Sequence, residues 1–167
     1  MKPTELGEAT IKRIGGYLHR IDPVFDATGK VLSYTLKPLM TEFRFKDLMQ
    51  VIVGASVLAV PIAFTEEVWK LGAELPLANV LCLSGVSILF IALFVYFNFY
   101  RYQLKGNFVS FVVRVCSIYA FSLLVVALLL TIIDRCPWEA DRMLALKRIL
   151  IVAFPASMSA AISDNLN

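Results

Sequence analysis

Apolar residues dominate four long stretches of this chain, and polar residues gather between them. Leu48 to Thr65 and Leu75 to Tyr100 carry no ionisable charge, Gly106 to Ile133 is interrupted only by Arg114, and Ile149 to Ser163 is clean. A helix rising about 1.5 Å per residue needs roughly 20 residues to cross about 30 Å of hydrocarbon. The pattern predicts four spanning helices, over about residues 48–69, 76–100, 107–133 and 143–163. The last lengthens backward where Lys147 and Arg148 snorkel to the interface. The preceding segment is polar and mixed, unlike a cleavable signal peptide. In residues 4–18, Leu6, Ile11, Ile14 and Leu18 stand against Glu8, Lys12 and Arg13, which predicts a short amphipathic helix broken by Gly15-Gly16. Pro23-Val24-Phe25 and Val31 to Leu36 then flank a turn in which Gly29 supplies a positive φ, the pattern of a β-hairpin. The predicted organisation is an N-terminal arm over 1–46 and an all-α membrane domain of four helices over 47–167.

Composition agrees with lipid as the solvent. Of the 167 residues 59% are hydrophobic and 17% charged, against roughly 45–50% and about 25% in a soluble domain. Mean hydropathy is +0.74. A net charge of +3 is a topology signal, because the basic residues cluster by location; no nucleic-acid partner is expected. Lys2, Lys12, Arg13, Arg20, Lys30, Lys37, Arg44 and Lys46 precede the first span. The first loop has Lys70 among Glu66, Glu67 and Glu74, the second has Arg101 and Lys105 beside Arg114, and the third has Arg135 and Arg142 with Lys147 and Arg148. Placing both termini inside puts eleven basic residues in the cytoplasm against five outside, so N-in, C-in is favoured. Phe94, Tyr96, Phe97, Phe99, Tyr100 and Tyr102 read as an aromatic girdle at the membrane boundary.

Enzyme chemistry lacks its parts. His19 stands alone in the arm, and no His or Cys spacing suits a metal. Cys82 and Cys116 fall inside predicted helices as small apolar residues, and Cys136 sits alone in the third loop. No phosphate loop, serine elbow or pair of intramembrane aspartates is visible, and no cofactor is expected.

Polar groups within the spans carry the functional reading, since they are costly in lipid. Thr65-Glu66-Glu67-Val68-Trp69 ends the first helix with two carboxylates ahead of an interfacial anchor. In a ring of copies these would form an acidic collar that concentrates permeant cations, chiefly at Glu66. Asp47, Gln50, Gly54, Pro61 and Thr65 form one stripe of that helix and Ala55, Ala59, Ala63 and Glu66 a second. The first suits water or packing, the second close helix contact. Arg114 demands a carboxylate, and Asp164 is its expected partner, with Asp47 the alternative. Ala153, Ala156, Ala160 and the serines around them mark the fourth helix as buried by protein. There Pro155 frees a carbonyl for a hydroxyl. The second helix reads as lipid-facing apart from Ser84, Gly85 and Ser87.

Tyr34-Thr35-Leu36-Lys37-Pro38-Leu39-Met40, Gln50 to Ser56 and Val60-Pro61-Ile62-Ala63-Phe64-Thr65-Glu66-Glu67-Val68-Trp69 together resemble a bacterial family of integral membrane proteins of unknown function. The resemblance implies an inner-membrane location and supplies no activity or ligand. A four-helix protomer is too small to enclose an aqueous path, so transport requires a homo-oligomer. The leading expectation is a homo-oligomeric, cation-selective channel: Thr65, Glu66 and Glu67 at its outer end, Pro61 and Gly54 along helix 1, and Gln50 and Asp47 at the inner mouth. The alternatives are a non-conducting scaffold or sensor whose arm binds a cytoplasmic partner, and a proton-coupled carrier titrating at Glu66 or Asp164.

Overall fold

The computed structural model describes residues 10–14, 17–26, 29–38, 43–101 and 104–165. Contacts divide the chain between residues 42 and 43 into two units.

The first unit is an antiparallel sheet of three strands in the order β1-β2-β3: Thr10–Ile14, Tyr17–Phe25 and Val31–Pro38. The expected hairpin is present as β2 and β3, with Gly29 at φ 78° and Asp26 Oδ1 accepting from the Lys30 amide at 3.0 Å. The amphipathic helix is not. Its described part, residues 10–14 and 17–18, is strand, and Ile14 pairs with Tyr17 in register. An edge on β2 rewards the extended form more than an isolated short helix is rewarded in water. Residues 4–9 lie outside the described residues.

The second unit is helical. α1 spans Phe45–Ala63, α2 Glu66–Glu74, α3 Leu77–Val95, α4 Leu104–Ile132 and α5 Arg142–Asp164. A π-helical turn over Tyr96–Tyr100 prolongs α3. Four of these are long and apolar enough to cross a membrane: Phe45–Ala63, Leu77–Tyr100, Asn107–Ile132 and Arg142–Asp164. The first span is shorter than the pattern predicts. Phe64 leaves the helix, and Thr65, extended at ψ 135°, begins α2 with Glu66 and Glu67 in its first turn. Thr followed by two acids is a helix-start signature, and acidic side chains there oppose the positive end of the new helix dipole.

α5 is the central helix. It packs against each of α1, α2, α3 and α4, most extensively α1. Half of its apolar window is buried, against 22–28% in the other spans. Its alanines explain the arrangement: Ala153, Ala156 and Ala160 are fully buried, as are Ala55, Ala59 and Ala63 on α1. Lipid gives apolar helices no hydrophobic reason to associate, so close approach of small side chains carries the packing. Gly54 shows how close. A methyl group there would overlap Ser163 Cβ and come within 2.9 Å of the Ser159 carbonyl oxygen and 3.0 Å of Ala160 Cα.

Serines add directional contacts. Ser87 and Ser157 share a buried hydrogen bond of 2.6 Å between α3 and α5. Ser84 and Ser122 bond back to their own helices at Val80 and Ile118. Ser84 and Ser87 face inward as expected, whereas Gly85 is exposed, with open space where a Cβ would stand. Beside Pro155, the Ser157 hydroxyl donates to the Phe154 carbonyl at 3.0 Å, not to Ile151, the carbonyl whose amide partner proline removes.

Candidate functional site

Helix ends create the site. Arg44 is extended, α1 begins at Phe45, and the Asp47 carboxylate turns back to accept the Arg44 amide through Oδ2 at 2.9 Å. That satisfies an amide otherwise orphaned at the helix start and sets a negative charge at the favourable end of the dipole. Asp164 has the opposite situation. It is the last residue of α5, where the helix dipole repels a carboxylate, and it is fully buried. Something cationic must hold it.

Arg114 does so, and it holds Asp47 as well. Seven residues beyond the kink at Asn107 (φ −127°, ψ 25°), its guanidinium is 1% exposed. Nη2 donates to Asp47 Oδ2 at 3.1 Å, and Nε lies 3.1 Å from Asp164 Oδ2. The second contact is held by charge rather than by an aligned hydrogen bond, for neither Asp164 oxygen has a hydrogen-bond partner. The sequence offered Asp164 and Asp47 as alternatives. The structure uses both, and one guanidinium joins carboxylates brought together from opposite ends of the helical unit.

Aromatic rings close the cluster. The Arg114 guanidinium lies 4.0 Å from the centre of the Phe99 ring and 5.9 Å from that of Phe43, within the range of cation–π attraction. Tyr100, fully buried, accepts a hydrogen bond from Arg114 and meets Phe111 edge-on at 5.4 Å. Phe99 and Tyr100 were read as a boundary girdle. The π turn inserts a residue and swings both inward, a displacement hydrophobic periodicity does not encode and one common at functional sites. Phe97 remains exposed, as the girdle requires.

The remaining positions of the predicted path fall elsewhere. Gly54 is buried against α5, and Gln50 is half-buried within its helix. Pro61 and Thr65 are exposed, the Thr65 hydroxyl donating to the Ile62 carbonyl at 2.8 Å. Glu66 and Glu67 are exposed on α2, not on α1. The outward face of α1 is instead apolar, with Phe45, Met49, Val53, Val57 and Val60 exposed.

At the far end of α5, α2 is fastened down. The Trp69 ring meets both the Arg135 and Arg148 guanidinium groups, at 5.5 and 5.4 Å from its centre. Arg148 donates to the Arg135 carbonyl at 2.8 Å, and Lys147 to the Leu75 carbonyl at 2.7 Å. Both bases therefore satisfy carbonyls of the segments that connect the helices. Cys136 is buried in the same connection, where burial pushes its thiol pKa up against the opposing pull of Arg148 and the Thr131 hydroxyl. Among the described residues no group of His, Cys, Asp and Glu is arranged to hold a metal.

Four apolar spans around an ionic cluster define a polytopic helical membrane protein. The family model described as "Putative integral membrane protein (DUF2391)" matches residues 28–164, and the chain belongs to that family, whose function is unknown. Neither a curated protein nor a solved structure matches it.

Proposed function

We propose that the protein carries a cation, most simply a proton, across the membrane, with Asp47, Arg114 and Asp164 as the binding centre. One observation supports this reading: two carboxylates share one guanidinium where water is excluded. The formal charge of the trio is −1, and an uncompensated charge is expensive in a buried site. One bound proton or monovalent cation brings it to neutrality. Loss of that cation frees a carboxylate to compete for Arg114, and exchange of partners at the meeting point of α1, α4 and α5 is a two-state element that transport needs.

The test is proton flux into vesicles holding the purified protein and a pH-sensitive dye, with the membrane potential clamped. Flux above that of empty vesicles is expected, and its loss in folded Asp164→Asn protein. Equal flux in the two proteins overturns the reading.

A homo-oligomeric cation channel is the second reading, favoured by the exposure of Glu66 and Glu67 on the first turn of α2. Its acidic collar would come from α2, and its lining from a surface other than the stripe of α1 that packs on α5. Single-channel recording separates the readings. Altered cation-over-anion permeability in Glu66→Gln, with unitary currents, supports the channel; absence of currents in wild type removes it.

A further inference from the structure

The three-stranded sheet has two unlike faces. Directly paired residues share a face, so Ile21 with Leu36 and Pro23 with Tyr34 lie on one side, and Asp22 with Thr35 and Val24 with Ser33 on the other. Strand alternation adds Arg20 to the second side, while Leu32 falls at the register shift opposite Val24 and Phe25. The second side is mainly polar and carries the Arg20–Asp22 ion pair at 2.7 Å. The first is apolar and bare: Tyr34 and Leu36 are 58 and 51% exposed. So small a sheet gains stability when such a face is covered, and a contiguous bare apolar face marks an interaction surface.

Covalent reach and charge identify what covers it. From Pro38 to Phe45, where α1 begins its span, the chain runs seven residues, a reach of at most about 25 Å at 3.6 Å each. The sheet is therefore tethered beside a bilayer. Residues 10–38 carry Lys12, Arg13, Arg20, Lys30 and Lys37 against Asp22 and Asp26, an excess of positive charge that attracts anionic headgroups. Lys12 pairs with His19, which places a basic residue on the apolar side next to Ile21. Apolar and aromatic side chains bordered by bases are the chemistry of interfacial binding.

We infer that the sheet lies on the adjoining bilayer surface with Tyr34 and Leu36 sunk into the headgroup–acyl boundary and Lys12 on lipid phosphates. The surface is a lipid-binding module distinct from the cluster formed by Arg114.

The experiment places a nitroxide label at 33, 34, 35 or 36 of the full chain, one position at a time. Cys82, Cys116 and Cys136 are replaced by alanine, and each variant is checked by circular dichroism. In vesicles containing phosphatidylglycerol, positions 34 and 36 collide with dissolved oxygen several-fold more, relative to an aqueous nickel chelate, than positions 33 and 35 do. The alternation weakens in wholly zwitterionic vesicles. Equal access of nickel to all four positions overturns the inference, because the face is then in water. Exclusion of both reagents from 34 and 36 also overturns it, because protein then covers the face, whether a second copy or this chain's own helices. Leu36→Lys, which keeps strand pairing but not the apolar face, gives an independent reading: nickel access at position 34 rises several-fold, and no change contradicts the inference.

Discussion

Removing Arg114 tests the charge arithmetic of the buried cluster. Arg114→Met leaves the apolar stem in place but strands two carboxylates that face one another's charge, at Asp47 and Asp164. Breaking a buried pair by deleting one partner costs about 3–5 kcal/mol. At about 2–4 °C per kcal/mol for a chain of this size, the melting temperature in detergent falls by roughly 6–20 °C. Asp164→Asn is predicted to behave quite differently. The amide keeps the shape, and Arg114 remains balanced one to one by Asp47, so the loss stays below about 1.5 kcal/mol, the scale of one hydrogen bond. Asp47→Asn falls in the same range with the added loss of a strong cap. Thermal unfolding followed by circular dichroism measures all three. Equal losses for Arg114→Met and Asp164→Asn refute the reasoning, because Arg114 and Asp164 then form a balanced pair with no excess charge. A negligible loss for Arg114→Met refutes it too, because the group is then solvated.

Three other perturbations have worked outcomes. Gly54→Ala forces α1 off the α5 backbone at Ser159 and Ala160, an overpacking loss of about 1–3 kcal/mol, while Gly85→Ala, with open space around it, gains up to about 1 kcal/mol from helix propensity; paired thermal melts check both. Ser87→Ala breaks the bond to Ser157, but Ser157 still donates to Phe154, so the loss should be about 0.6 kcal/mol, read from the same melts. Cys136 holds its proton more tightly folded than unfolded, so its contribution to stability is present below its ordinary pKa of 9.0 and is lost as pH rises through the higher folded value. Mass-spectrometric counting should find it slow to take up maleimide at neutral pH and faster in alkali.

Much of this was legible in the chain. Four apolar runs, one interrupted by Arg114, announced four spans, and alanine spacing on the fourth marked it as internal. Arg114 stood out because a guanidinium in lipid requires an anion, and the candidates of matching depth were few. Three features were not legible, each because a local signal was read with the wrong period or because tertiary contact decided it. Thr65-Glu66-Glu67 follows an uncharged run as the end of one helix would, yet Thr before two acids begins another. Ile11, Ile14 and Leu18 fit a helical spacing, yet the neighbouring β2 edge favours strand. The inward turn of Phe99 and Tyr100 depends on a π turn, which answers to Arg114 on a different helix and leaves no trace in hydrophobic periodicity.

Infrared difference spectroscopy of the carboxyl groups reads directly whether the Arg114 cluster holds one cation beyond its own charges. Near neutral pH, where exposed carboxylates are ionised, wild-type protein is predicted to show one carboxylic-acid carbonyl band, absent from both Asp47→Asn and Asp164→Asn because a single carboxylate balances Arg114. A wild-type spectrum without that band, and unchanged by swapping sodium for a bulky organic cation, contradicts the claim.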